Sequence, residues 1–445
     1  MSNIEAVPCR CESRARMIAD LADRLREHGW RNLLRHPVVK NTLLLYLAQF
    51  SSYVFPLLTL PFLSRVLQPE KFGLVAFAQS FIWYFITLTD YGFALTATRK
   101  IAASRDNVDE VSRIFSAVMG AKLVLLGASF VLMQVVVLAV PKLRSEHVLF
   151  TVTFLNVVGN VLFPYWFFQG MQRLEQVALR DFLSKLSSTI LVFLIIRSSS
   201  DYIWAAGIQS AGALIAGVIG LTQVRKVMHL KWTWPAASAM WSELVSGWPV
   251  FLSMAAMTLT SSTNIFILGL WATATDVGYY TSAYRVVVML RMMVSPIVGA
   301  LYPHMSALGS DGRDRAVHFV RHTGVLLTVP FAVISLTLLA TAPWTVKLLF
   351  GSRYLPVIPL LQILALSPFL LALSHNYSTY YMLALGYDRQ WSRIVLWSAV
   401  LNMLILFSLL WTIPPTYAVA ITTLAVDIYS VAAAYLFYRR NEAAG

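Results

Sequence analysis

The sequence predicts an all-α polytopic membrane protein of about twelve transmembrane helices, in two pseudo-symmetric six-helix lobes around a central cavity. Three observations carry that expectation: a shortage of charge, long apolar runs along almost the whole chain, and a faint repeat relating its halves. Only 13% of the 445 residues are charged and 58% are apolar, whereas a soluble globular chain carries about 25% charged residues. So small a supply could not cover the surface of a water-soluble domain, so the solvent for most of this chain is lipid. In hydrocarbon only helices and closed barrels satisfy every backbone group. The apolar runs are continuous rather than alternating, and near the roughly 20 residues that a spanning helix needs. That selects helices over a barrel.

The elements follow in order. Residues 1–40 are polar and basic and lack the apolar core of a signal peptide. Met17, Leu21 and Leu25 recur at helical spacing among Arg14, Arg16, Arg24 and Arg26. This is the pattern of a basic amphipathic helix resting on an anionic cytoplasmic leaflet. Helices 1–6 form the expected N-lobe, residues 41–230, at 41–66, 72–97, 112–139, 146–169, 175–197 and 202–226. Helices 7–12 form the expected C-lobe, residues 241–440, at 243–270, 276–307, 316–342, 355–385, 391–411 and 415–438. Proline, glycine and charge separate them, as at Pro69-Glu70-Lys71, Pro141-Lys142 and Pro414-Pro415. Pro56, Pro61 and Pro296 are expected to bend the helices that contain them.

With the N-terminus in the cytoplasm, 24 of the 35 Lys and Arg fall in cytoplasmic segments and seven on the opposite side. That excess satisfies the positive-inside rule, so both termini are expected in the cytoplasm. It also accounts for the net charge of +14 without nucleic acid as a partner. Cys9 and Cys11 are the only cysteines and cannot build a disulfide framework. They read as reduced cytosolic thiols, and no metal or cofactor is expected. Phe72-Gly73 followed by Ala78 matches Val277-Gly278 followed by Ala283, and Tyr165, Gly170 and Arg173 match Tyr381, Gly386 and Arg389. Two repeated halves around a midplane site are a common plan for transporters.

A charge near the bilayer centre costs roughly 2.5–3.5 kcal/mol on insertion scales, so such residues line water, pair, or bind something. Four basic residues fall inside spans: Lys122, Lys185, Arg285 and Arg291. Lys185 follows Asp181 by four residues, the order that favours an intrahelical ion pair. Lys122 and Arg285 have no acid within four residues and are the leading candidates to line a wet cavity. Arg65 stands nearer the outer mouth, where it lines the cavity or anchors the helix end. Of the two acids inside spans, Asp427 either partners a basic residue or binds a coupling cation. Asp90 lies in Thr89-Asp90-Tyr91-Gly92-Phe93, where Gly92 loosens the helix. His375 is deep and reads as a packing residue. Polar groups run along the seventh helix from Thr258 through Thr260, Ser261, Ser262 and Thr263 to Asn264, and Asn156 and Asn160 lie in the fourth. They serve either a sugar or helix–helix hydrogen bonding.

A basic cavity points to an anionic ligand: guanidinium matches phosphate oxygens in two-pronged fashion, and ammonium acts as a point charge. There is no Gly-rich phosphate loop, so ATP hydrolysis is not expected, and neither metal catalysis nor any other enzyme activity is expected.

Pro56-Leu57-Leu58-Thr59-Leu60-Pro61-Phe62-Leu63-Ser64-Arg65, Pro69-Glu70-Lys71-Phe72-Gly73, Thr89-Asp90-Tyr91-Gly92-Phe93 and Ala97-Thr98-Arg99 resemble the O-antigen flippases of the polysaccharide-transporter family. Phe168-Gln169-Gly170, Leu301-Tyr302-Pro303 and Leu349-Phe350-Gly351 add to the likeness, which is collinear over roughly 41–440 and looser in the second half. The resemblance implies the fold of the multidrug and oligosaccharidyl-lipid exporters. It implies movement of an undecaprenyl-pyrophosphate-linked glycan across the bacterial inner membrane by alternating access, in the company of membrane lipids and of the polymerase and chain-length machinery. The competing expectation is a cation-coupled multidrug exporter of the same architecture, whose cavity would favour acids.

Overall fold

The computed structural model describes residues 37–299, 301, 305 and 313–443, and every regular element among them is helical. The expected amphipathic segment lies outside the described residues apart from 37–40, which open the first helix. The helices are α1 (Pro37–Asp90), α2 (Phe93–Ala103), α3 (Val108–Ala139), α4 (Pro141–Arg144), α5 (His147–Leu162), α6 (Tyr165–Gly170), α7 (Leu174–Ile195) and α8 (Tyr202–Val227). They continue with α9 (Ala237–Ser261), α10 (Thr263–Trp271), α11 (Ala274–Met292), α12 (Arg313–Leu349), α13 (Val357–Leu364), α14 (Ser367–Tyr377), α15 (Asp388–Leu410) and α16 (Pro415–Ala443). A π-helical turn, Ser378–Leu383, extends α14.

Among the described residues nine helical stretches are long and apolar enough to cross a membrane, ten if the pair α9 and α10, bent by 49°, counts as one. The expected twelve are not reached on length and composition, for two physical reasons. The first two expected spans run together into a single apolar stretch, Tyr53–Ala103. The fifth, α7, carries Arg180, Asp181 and Lys185, which dilute its apolar run. Pro56 and Pro61 sit inside α1 with helical backbone around them. The chain breaks instead at Gln68 (φ 61°, ψ 168°), immediately before Pro69, where the proline ring disfavours α geometry in its predecessor. Pro296 lies just past the turn at Met293 that ends α11.

The helices sort into two groups. In the first half of the chain α5 packs on α8, and α1 packs on α5 and α7. In the second, α12 and α16 pack on α14, α13 packs on α12 and α16, and α15 packs on α16. Helix α9 bridges them, touching α1, α2 and α3 on one side and α15 on the other. The closest join is α1 against α11, and glycine makes it possible. A β-carbon on Gly73 would lie 1.8 Å from the Ala274 carbonyl oxygen, and one on Gly278 would lie 2.0 Å from the Pro69 carbonyl oxygen. The contact is reciprocal: Gly73 and Gly278 are the repeat-related glycines, and Pro69 and Ala274 share their offset of 205 residues. A self-complementary contact of this kind is what a two-fold axis produces. Repeat-related Ala78 and Ala283 are both fully buried beside it.

Candidate functional site

About two turns along from these glycines, a cavity of about 500 Å³ opens between the two groups. Its walls include Gln79 and Trp83 from α1, Thr258 from α9, and Thr281, Tyr284 and Arg285 from α11. The close glycine crossing brings the two helices near enough for one side chain to bridge them. Arg285 Nη2 donates to Gln79 Oε1 at 2.6 Å. Gln79 Nε2 in turn donates to Gln209 Oε1, from α8, at 2.7 Å. The Arg285 guanidinium also lies 5.2 Å from the centre of the Phe72 ring, a cation–π contact. Among the described residues no carboxylate stands within ion-pair distance of Arg285. The Thr281 hydroxyl, one turn before it, is buried without a hydrogen-bond partner.

The other candidate residues are committed elsewhere. Arg291, six residues on from Arg285, donates to Asp427 Oδ2 at 3.1 Å and to Ser367 Oγ at 2.9 Å, while Ser367 donates to the same carboxylate. Arg291 and Asp427 line a second cavity of about 410 Å³, with Asn264, Asn402 and Thr423. It lies within the second helix group, and Tyr284 belongs to both cavities. Lys122 is fully buried and donates to Asp90 Oδ1 at 2.8 Å. Asp90 ends α1 at the break made by Tyr91 (φ 46°) and Gly92 (φ 77°), so the ammonium also meets a negative helix end. Lys122 therefore lines neither cavity. Lys185 lies on α7, outside both linings, and is engaged in interactions there, as is Asp181. His375 bonds Thr379 one turn away at 2.8 Å.

Arg65 spans the seam rather than facing the cavity. Its Nε donates to the Leu349 carbonyl at 3.0 Å, and its Nη2 donates to that of Leu348, at the end of α12. Lys142, on α4, mirrors it by donating to the Ala272 and Leu270 carbonyls, at 2.5 and 3.2 Å, at the end of α10. Both cations of the first half thus cap helix C-termini of the second, where orphan carbonyls and the dipole favour positive charge. Burial pulls the Lys142 ammonium below the usual lysine range, and the Asp276 carboxylate partly restores it. At the other end of the seam Lys100 pairs with Glu243 at 2.7 Å, and Tyr91 stacks on Phe251 at 4.6 Å between ring centres.

Three of the polar residues marked on the seventh expected helix tie helices together, while the two on the fourth bond each other within one helix. Thr258 bonds Thr87 at 2.8 Å, Thr263 bonds Tyr84 at 2.6 Å, and Asn264 donates to Thr423 at 3.0 Å. Asn160 donates to Asn156 one turn back at 2.8 Å. Sequence reasoning missed Gln79, Gln209, Thr281 and Tyr284. The available signal was two amides inside otherwise apolar spans, which a search limited to charge passes over.

Comparison with known proteins fits this architecture. The protein family described as polysaccharide biosynthesis protein matches residues 38–308. A protein of Escherichia coli (strain K12) named "Putative O-antigen transporter" is 32% identical over 91% of this chain and 97% of its own length. Among solved structures, the lipid II flippase MurJ in an inward closed conformation superposes with a TM-score of 0.71 at 14% identity, over 89% of this chain and 87% of its own. An inward-facing multidrug resistance transporter of the MATE family matches with a TM-score of 0.60 at 15% identity, over 88% and 95%. At such identities the two structures establish a shared fold.

Proposed function

This chain belongs to the polysaccharide biosynthesis protein family, and on that premise we propose that it is a flippase for lipid-linked glycans. The observation that carries the reading is Arg285: a guanidinium in the cavity between the two helix groups, with no carboxylate to neutralise it among the described residues. Burying a charge without a partner is costly, and restricted water strengthens its attraction for a ligand of opposite sign. The ligand class that fits is an anionic head, and an undecaprenyl pyrophosphate bearing a sugar unit supplies one. The cavity volume falls within the range of about 300–1,000 Å³ typical of small-molecule sites. The unpartnered Thr281 hydroxyl offers a further hydrogen bond beside the guanidinium.

In this mechanism the pyrophosphate pairs with Arg285, the glycan occupies the wet space between the two halves, and the polyprenyl tail stays in lipid. Passage from the cytoplasmic to the opposite leaflet proceeds by alternating access. Release requires the seam to open where Arg65 and Lys142 bridge it. The multidrug-exporter alternative needs free acid in the cavity. Asp427 is held by Arg291 and Asp90 by Lys122, which weighs against it.

The deciding experiment reconstitutes the purified full chain in proteoliposomes with a fluorescent polyprenyl-pyrophosphate oligosaccharide and an impermeant quencher. Protein-dependent exchange between leaflets, above that of an unrelated helical membrane protein, is expected. Absence of exchange with folded protein and an imposed ion gradient would defeat the proposal for that glycan class. Loss of exchange in Arg285→Ala, with partial retention in Arg285→Lys, is the residue-level expectation.

A further inference from the structure

Most buried guanidinium groups are held by carboxylates, which fix their position and cancel their charge together. In the cavity these two tasks are separated. Gln79 holds Arg285 through a neutral oxygen at 2.6 Å, and Gln209 holds Gln79 at 2.7 Å. The order of the chain matters. An amide presents one accepting and one donating end, and only the hydrogen-bond network decides which points where. The Gln209 oxygen accepts from the Gln79 NH2 group, which turns the Gln79 oxygen toward the guanidinium. A flipped Gln79 would aim donors at donors.

We propose that Gln79 and Gln209 are positioning residues that aim the Arg285 guanidinium while leaving its charge uncompensated, so that the cavity admits an anionic head group. The inference rests on the flippase reading above and assigns the selectivity of that site to two amides that themselves carry no charge. Gln79 and Gln209 belong to the first helix group and Arg285 to the second, so the same bond that aims the cation also joins the two halves at the cavity. A ligand that draws the guanidinium away from Gln79 loosens that join, which links occupancy to the separation of the halves.

The test uses the full chain in detergent with geranyl pyrophosphate as probe, its dissociation constant read by calorimetry. Arg285→Ala is expected to weaken binding about tenfold or more. Gln79→Glu, which keeps the guanidinium and sets a carboxylate against it, is expected to weaken binding as much at about pH 8. The guanidinium favours the charged form of the introduced carboxyl, so its deficit relative to wild type should persist down to about pH 5. Gln209→Leu adds no charge and frees Gln79 to flip, and should weaken binding by about threefold at all pH values. It carries the test if Gln79→Glu does not fold. Wild-type protein that binds no probe, or Arg285→Ala that binds like wild type, would overturn the anion site itself. A weakened Arg285→Ala beside Gln79→Glu or Gln209→Leu that binds like wild type would leave that site standing and overturn the role of the amides.

Discussion

Arg285 and Arg291 stand on one helix, less than two turns apart, yet they belong to different kinds of region. Around Arg291 the second helix group builds a closed polar triad with Asp427 and Ser367, in which every charge has its counterpart. Around Arg285, at the seam between the groups, the counterpart is a neutral amide. The first arrangement suits a structural cross-link within one half, because an ion pair at this depth is stable only while both members are present. The second suits a site, because it leaves a charge that a ligand can satisfy. A buried arginine is therefore informative only through what holds it.

Four perturbations break or sharpen this contrast, in falling order of effect. Gly278→Val drives side-chain atoms into the Pro69 backbone, where even a β-carbon sits at 2.0 Å. It should abolish monodisperse protein, whereas Gly299→Val, at a position with open space around it, should be well tolerated. Equal yields from the two would show that the close crossing is dispensable. Next, Arg291→Ala strands the Asp427 carboxylate and should cost about 3–5 kcal/mol of stability, seen as a lower melting temperature in detergent. Adding Asp427→Asn should recover part of the loss, and failure to recover any would refute the triad as a structural unit. Third, Arg285→Ala leaves no acid stranded, so its melting temperature should stay near wild type while leaflet exchange falls about tenfold or more. A large thermal loss with exchange preserved would reverse the assignment of the two arginines. Smallest are Arg65→Ala and Lys142→Ala, each removing caps on exposed helix ends worth about 0.3–1 kcal/mol. They should raise the labelling of a cysteine placed at Leu149, which is buried in the cleft that Lys142 lines, by an impermeant reagent. Unchanged labelling in both variants would mean that these cations do not keep the seam closed.

The charge test located the cations but not their fates. Arg285 and Lys122 look alike in sequence, each an isolated base in an apolar run. Asp90 lies 32 residues from Lys122 and meets it only because α1 breaks at Tyr91–Gly92 beside α3. Arg65 and Lys142 reach carbonyls more than a hundred residues away, and backbone acceptors leave no mark in a pattern of residue types. The repeat was legible because close backbone approach demands glycine at matching places, and the reciprocal contact of Gly73 and Gly278 gives that match its geometry. The break at Gln68 falls between the first two expected spans, at the separator Pro69-Glu70-Lys71, because a proline constrains the residue before it and so marks the break in the sequence itself.

By itself the sequence determined that this chain is a bundle of membrane-spanning helices with related halves, because lipid imposes composition, span length and backbone satisfaction on each segment separately. Those are local constraints, written where they act. Only the tertiary structure decided which buried charge stays uncompensated, because neutralisation is a contact between distant segments. Gln79, Gln209 and Arg285 come from three different helices, and the site exists only where the glycine crossing lets α1 and α11 approach.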